Sequence, residues 1–545
     1  MEAHHDQAAR GREAPIASYA ETQAAVSPPR ARTGVLSASW PILLILALQA
    51  VVSVATLRNT AFQDEALYLY AGRQIIHHWN GGPVPLENYA KEFSGYPYFY
   101  PVIGASLQLI GGLELARSFS LACMLGVTAI VYLITTKLFG KPAGLFASAA
   151  YASTGVVLFV GRLATYDALC LFLIALATAF AVRGGMGRRP WASLAIGPVL
   201  VLAILTKYAA LLFILPIFAL LACTGIVFVG RWRGLVRLAL ALAAFAVSLY
   251  VAYKTMDKSA FHAIYGSTTN RVVGSKAPRL DLVVHVLRMG SPVYLIAFAG
   301  LLLAFRLQWR FRVLAVLLFG SSWLAPAYHV YMQEPISLDK HIAYALFFAV
   351  PLGGYALAWL SGHGRQPFFS SYRGYWLAGM AIVMAIFTLG LGQSHTLYTG
   401  WANTSDLATA LHTQLRDGSG RILAEDVEVD RFDAMDVTEP WQWNNFYYPY
   451  FITPEHHLLL GPPALIQAIK TRWYDWVALS FIYMPQDAYF VAGQMAATKN
   501  YDLIAVILFQ DSYGKGHYYL FRAALVPGHG TFKSLNQLKT KNWGN

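Results

Sequence analysis

The sequence predicts a polytopic α-helical membrane unit followed by a small extracytoplasmic α/β unit, and three observations predict it. The chain is 57% hydrophobic and only 13% charged over 545 residues, too apolar for a soluble globular protein of that length. Runs of roughly 20 apolar residues, the length that crosses a hydrocarbon core as a helix, recur between residues 40 and 394. Beyond them the composition changes to strand-like runs such as RILAEDV and YDLIAVILF and helix-like ones such as DLATALHTQLRD and PPALIQAIKTRW.

Taken in order, residues 1–33 are rich in Ala, Arg, Glu and Pro without an apolar period and read as a disordered cytoplasmic tail. The run that starts near Trp40 lacks a small-residue cleavage site behind it and reads as a retained span. The length rule gives about eleven spans, at 40–58, 114–137, 142–161, 167–183, 191–206, 208–229, 235–256, 290–305, 313–331, 342–361 and 375–394. The fifth and sixth are parted only by Thr206 and Lys207 and read as two spans or as one broken, re-entrant pair.

Basic residues orient the chain, because short cytoplasmic loops collect Lys and Arg. With the tail (Arg10, Arg12, Arg30, Arg32) inside, alternate loops carry Lys137 and Lys141; Arg183, Arg188 and Arg189; Arg231, Arg233 and Arg237; Arg306, Arg310 and Arg312; Arg365 and Arg373, all on the same side. A missed span would flip every later loop, so this agreement supports the count. External segments are then 59–113, 162–166, 257–289, 332–341 and everything after 395, which gives a membrane unit over 34–395 and an extracytoplasmic unit over 396–545. No internal repeat of the kind found in many transporters is visible.

Formal net charge is +13. No basic helix or aromatic-basic module accompanies it, which excludes nucleic acid and leaves loop orientation and anionic membrane lipids. Cys123, Cys170 and Cys223 all fall inside spans and read as packing residues.

In NTAFQDEALYLYAG, Asp64 and Glu65 stand just past the first span. A helix beginning near Gln63 puts Asp64 on one face with Tyr68 and turns Glu65 elsewhere. Either acid alone is explained as a favourable charge at a helix N-terminus. Asp167, in GRLATYDALCLF, is a second acid at an external boundary, with Arg162 and Lys207 as nearby cations. Capping does not explain the set. Lys340 and His341 stand at the outer end of another span, as phosphate-binding or as interfacial residues. The external loop 257–289 carries Lys258, Arg271, Lys276, Arg279 and Arg288 against Asp257 and Asp281, suiting either an anionic substrate or a merely solvated loop.

These stretches, together with LTKYAALLFILP and DKHIAYALFFAVPLGGYAL, resemble the GT-C superfamily of membrane glycosyltransferases. The branch is that of protein O-mannosyltransferases and the aminoarabinose transferase of lipid A, over residues 40–395. The resemblance implies an inverting glycosyltransferase that moves a sugar from a polyprenyl-phosphate donor to an acceptor hydroxyl of a protein, glycolipid or envelope polysaccharide. It implies a site on the external face of a bacterial cytoplasmic membrane, with Asp64 as catalytic base, Glu65 as the second acid of the pair and Asp167 as the acid after the third span. Arg162, Lys207, Lys340, His341, Arg271 and Lys276 are the candidates for the donor phosphate. Tyr68, Tyr96 and Tyr98 are candidates for sugar or acceptor contacts, against the alternative of an aromatic interfacial belt. Some relatives use a divalent cation, and Asp64 with Glu65 could hold Mg or Mn; no metal site is assigned, and His77 and His78 do not converge as adjacent helical residues. The rival reading is a polytopic transporter of an anionic or lipid-linked substrate, which calls for ionisable groups near mid-span rather than at one face.

Overall fold

The structure, a computed structural model, describes residues 35–187, 190–256, 262, 265–266, 276–363, 373–415 and 420–538. The expected tail, Arg271 and residues 257–261, 263–264 and 267–275 of the loop 257–289 lie outside the described residues. Among the described residues, eight helices are long and apolar enough to cross a membrane, and a bent pair adds a ninth. Two shorter apolar helices, Trp40–Thr56 and Trp191–Thr206, occupy the remaining expected positions. The fold is thus a polytopic helical membrane core with a small sheet-bearing unit behind it.

Three departures from the apolar pattern have local causes. The expected span 114–137 belongs to a longer helix, α4 (Tyr100–Phe139), kinked at Gly111 and Gly112. Gly112 has φ +69°, a conformation that only glycine adopts readily. The expected span 142–161 is divided into α5 (Lys141–Ala152) and α6 (Gly155–Gly161), bent by 70°. Thr154 is extended at the bend, and Gly155 and Gly390 let the backbone of helix Arg373–Tyr398 press against it, where a Cβ on Gly390 would lie 1.9 Å from the Ser153 carbonyl oxygen. The third departure is at Lys207. Helix α9 (Ile196–Thr206) stops there, Lys207 is extended (φ −154°, ψ 129°), and a 3-10 turn, Tyr208–Phe213, leads into α10 (Ile214–Phe228).

Helix α15 (Leu338–Ala358) is the central element of the core. The candidate span that contains it is 89% buried inside the protein. It packs on α5, on α12 (Arg279–Ala304), on α13 (Trp309–Ser321) and on α14 (Leu324–Met332). Its apolar face needs protein on all sides, and this fixes its N-terminal turn, with Lys340 and His341, inside the bundle.

The following unit holds a five-stranded sheet of order β2-β1-β5-β7-β6, from β1 (Ile422–Ala424), β2 (Trp443–Asn444), β5 (Trp476–Leu479), β6 (Tyr501–Asp511) and β7 (Gly514–Ala523). β1 pairs parallel with β2 and β5, and β7 runs antiparallel between β5 and β6. A short helix, α18 (Val427–Asp433), leaves β1 and packs on α2 (Gln63–Trp79), the helix that follows the first apolar helix. Arg431 pairs with Glu87 and lies over the Tyr70 ring, and Gln63 Nε2 donates to Glu428 at 3.4 Å.

Asp426, Glu428, Asp430 and Asp433 crowd at this junction. Burial, and then neighbouring acids, push Asp426 and Asp430 well above the usual carboxylate range, and burial pushes Asp433 up to about 6. Folding therefore favours their protonated forms, so the stability they contribute is present below their unfolded values and is lost as pH rises through the folded ones. Thermal unfolding of the protein is expected at lower temperature at about pH 8 than at about pH 5. Asp430→Asn should raise the melting temperature at the higher pH and flatten this slope in a pH series of melts.

Candidate active site

Four chain segments end at one place. Asp64 lies in the first turn of α2, Asp167 in the first turn of α7 (Tyr166–Met186), Lys207 at the break after α9, and Lys340 in the first turn of α15. Lys340 Nζ pairs with Asp64 Oδ2 and lies 3.7 Å from Asp167 Oδ2. Lys207 Nζ lies 2.5 Å from Asp167 Oδ1. Thr165 Oγ1 donates to Asp167 Oδ2 at 3.2 Å, so neither Thr165 nor Asp167 serves as the helix cap that its position suggests. Tyr344 Oη donates to the Asp167 carbonyl at 2.9 Å and ties α15 to α7.

The members differ in access. The Asp64 side chain is 29% exposed, against 0% for Asp167, 4% for Lys207 and 5% for Lys340. Asp167 is an internal counter-ion that holds two ammonium groups, while Asp64 faces the opening. Two charges out of water persist only when paired and hydrogen-bonded, and both conditions hold here. A cavity of about 170 Å³ opens beside the group, lined by Asp64, Tyr68, Tyr166, Lys207, His329 and His341 among others.

The break at Lys207 is held by the segment between α2 and α4. Tyr96 N–H donates to Leu205 O at 2.7 Å and Tyr208 N–H donates to Ser94 O at 2.8 Å, a short ladder that occupies backbone groups freed where α9 ends. Gly95 is needed between them, since a Cβ there would lie 2.3 Å from the Thr206 carbonyl oxygen. Tyr68 lines the cavity with its ring centroid 4.4 Å from that of Tyr166. Tyr98 stands apart, near Trp79 at 6.2 Å, on a second cavity with Glu87 and Asn88. Tyr96 packs on Tyr98 at 5.4 Å and reaches the site through its backbone.

Glu65 and Arg162 correct the sequence reading, because the structure places both in a different network. Glu65 is fully buried and accepts from Arg117 Nε at 2.8 Å and Nη2 at 2.7 Å, from Phe62 N–H at 2.8 Å and from Ala164 N–H at 2.6 Å. Arg117 also donates to the carbonyls of Asn59 and Thr60. Arg162 is turned toward Glu114 and the Leu57 carbonyl and is not among the residues that line the cavity. Lys276 is exposed and is likewise not among the lining residues. Asp64 and Glu65 therefore diverge and do not fit a shared divalent cation, and Lys340 occupies the space between Asp64 and Asp167. Among the described residues no group of three or more His, Cys, Asp and Glu could hold a metal ion.

Arg117, Glu114 and His329 escaped the sequence reading, and Thr165 was legible only as a helix cap. Arg117 and Glu114 sit in LELARS at the start of an apolar run, where they look like boundary charges, and no local pattern reveals a partner 52 residues away.

The fold, a multi-helix membrane core backed by a small sheet unit, is shared with solved structures of membrane transferases. A family model described as dolichyl-phosphate-mannose-protein mannosyltransferase matches residues 97–251, which include Arg162, Asp167 and Lys207. Among solved structures, ArnT from Cupriavidus metallidurans bound to undecaprenyl phosphate is similar with a TM-score of 0.57 and 15% identity, covering 90% of this chain and 99% of that one. The archaeal oligosaccharyltransferase AglB from Archaeoglobus fulgidus, in complex with an inhibitory peptide and a dolichol-phosphate, gives 0.53 and 14%, covering 89% and 74%. The arabinofuranosyltransferase AftD from Mycobacteria gives 0.50 and 13%, covering 90% and 40%. No curated protein matches the sequence.

Removing one partner of a buried pair strands the other charge, at a cost of about 3–5 kcal/mol. Arg117→Met is expected to lower the melting temperature in detergent sharply, whereas Asp64→Asn, at the open end of its pair, should leave it nearly unchanged.

Proposed function

We propose that this chain is an inverting glycosyltransferase, moving a sugar from a polyprenyl-phosphate donor to an acceptor hydroxyl at the outer face of a bacterial cytoplasmic membrane. The observation that carries this reading is the ammonium of Lys340 held between an exposed acid, Asp64, and a buried one, Asp167. It is supported by the mannosyltransferase family match and by a fold shared with proteins solved with undecaprenyl phosphate and with dolichol-phosphate.

Substitution at an anomeric carbon requires a base for the incoming hydroxyl and cations for the departing phosphate. Asp64 takes the hydroxyl proton. As the donor phosphate arrives, Lys340 and Lys207 supply the positive charge, and Lys340 exchanges Asp64 for a phosphate oxygen, leaving the carboxylate to the acceptor. Asp167 keeps both lysines in place. It is fully buried and already bonded, so it cannot reach the sugar as a nucleophile, and displacement occurs once, with inversion. Tyr68, buried beside the opening, borders the sugar.

The lipid tail of such a donor lies in the bilayer, which suits a site at the ends of membrane helices. A transporter would place its charges along a path through the core. The ion pairs of Asp64, Asp167, Lys207 and Lys340 instead close on one another at one end of the bundle. With the N-terminus cytoplasmic, residues 34–395 form the catalytic membrane unit and 396–545 an extracytoplasmic unit docked through α18.

With purified protein and a panel of labelled polyprenyl-phosphate sugars, one donor should be consumed, and Asp64→Asn should reduce transfer by about a thousandfold or more while thermal unfolding is preserved. Full activity in that variant would remove Asp64 as base. Lys340→Ala should raise the donor KM by about tenfold or more, and by more than it lowers kcat. Unchanged donor dependence would remove the phosphate contact.

A further inference from the structure

Two imidazoles line the cavity beside the ion pairs and touch each other. His329, near the end of α14, places Nδ1 2.6 Å from the Glu334 carbonyl oxygen, and its Nε2 lies 2.7 Å from Nδ1 of His341. Both residues are buried, and the His341 ring packs edge-on against Tyr344 at 5.5 Å. A carbonyl oxygen only accepts, so His329 carries its hydrogen on Nδ1. Its Nε2 then accepts, so His341 donates from Nδ1, which leaves Nε2, itself buried, as its remaining ring nitrogen. The two contacts fix both tautomers.

Acids and lysines share the cavity with this pair. Lining the same cavity are Asp64 from α2, Glu334 from the turn after α14, Glu92, which burial pushes up to about 7, and Lys207, while Asp167 and Lys340 pair with each other behind Asp64. Asp339, on α15, is paired with His285 of α12 at 2.6 Å, and Tyr166, Tyr328 and Tyr344 supply neutral phenols. An arriving phosphodiester adds a negative charge beside the two imidazoles.

Resting on the glycosyltransferase reading, we infer that His341 is the acid that protonates the departing phosphate through Nε2, and that His329 is the positioning residue that fixes its tautomer and supports its charge. In the step, the acceptor oxygen bonds to the anomeric carbon and its proton goes to Asp64. The bond from that carbon to the phosphate oxygen breaks, its electron pair stays with the phosphate, and the Nε2 proton of His341 transfers to it. The lipid monophosphate leaves singly protonated. Asp64 then returns its proton to solvent, and His341 regains one from solvent.

The test is the pH profile of kcat/KM for the consumed donor in the wild type, His341→Gln, His329→Leu and His329→Gln. The wild type should lose activity as pH rises through one ionisation in the neutral range. His341→Gln should lose about thirtyfold or more at low pH and lack that limb. His329→Leu, which cannot accept from His341, should move the limb down by about one pH unit, whereas His329→Gln, which can accept and donate, should restore it. A His341→Gln profile parallel to the wild type, or a His329→Leu variant that loses the same factor at every pH, overturns the inference and leaves the glycosyltransferase reading intact. Consumption of no donor by the wild type overturns both.

Discussion

The buried pair of Glu65 and Arg117 is the constraint on which the site depends. An uncompensated charge in the interior costs several kcal/mol, and here the compensation is complete in the sense that matters for geometry. Arg117 grips the carboxylate and also the carbonyls of Asn59 and Thr60, while Glu65 takes the amides of Phe62 and Ala164. One ion pair thereby ties the exit of the first span, the start of α2, the long helix α4 and the link before α7. Successive helical residues point about 100° apart, so fixing Glu65 inward presents Asp64 to the opening. Two adjacent acids divide the work: one sets the position and the other faces the cavity.

The remaining members are delivered by helix ends rather than by long loops. Lys340 stands on the most buried of the candidate spans, and Lys207 stands at a break pinned by the ladder from Ser94 and Tyr96. Rigid elements hold the charged atoms within bonding range, which is the condition for a preorganised electrostatic site. The same arrangement explains how acidic and basic residues survive beside a hydrocarbon core: Lys207 and Asp167 are paired within the protein, and only Asp64 keeps substantial contact with solvent.

The sheet-bearing unit reaches this site through α18. Its Arg431 and Glu428 contact Glu87 and Gln63, and Gln63 immediately precedes Asp64. The junction joins acids that burial pushes above the usual carboxylate range to the helix that carries Asp64. The unit thus meets α2 through direct side-chain contacts.

The membrane architecture was legible in the amino-acid order because partition into lipid depends on local hydrophobicity. Asp64, Asp167, Lys207 and Lys340 were visible as charged residues at the ends of apolar runs, where their presence is costly without a purpose. Their mutual distances were not visible, nor was the choice between Glu65 and Asp64, between Arg162 and Lys207, or between Thr165 as a cap and as a partner of Asp167. The bend at Thr154 and the His329–His341 contact were equally hidden, since Gly155 meets Gly390 and His329 meets His341 only after packing. Sequence determined which segments leave water and which charges sit at their ends; tertiary structure alone decided which charges meet, because hydrogen bonds and ion pairs act over a few ångströms between residues far apart in the chain.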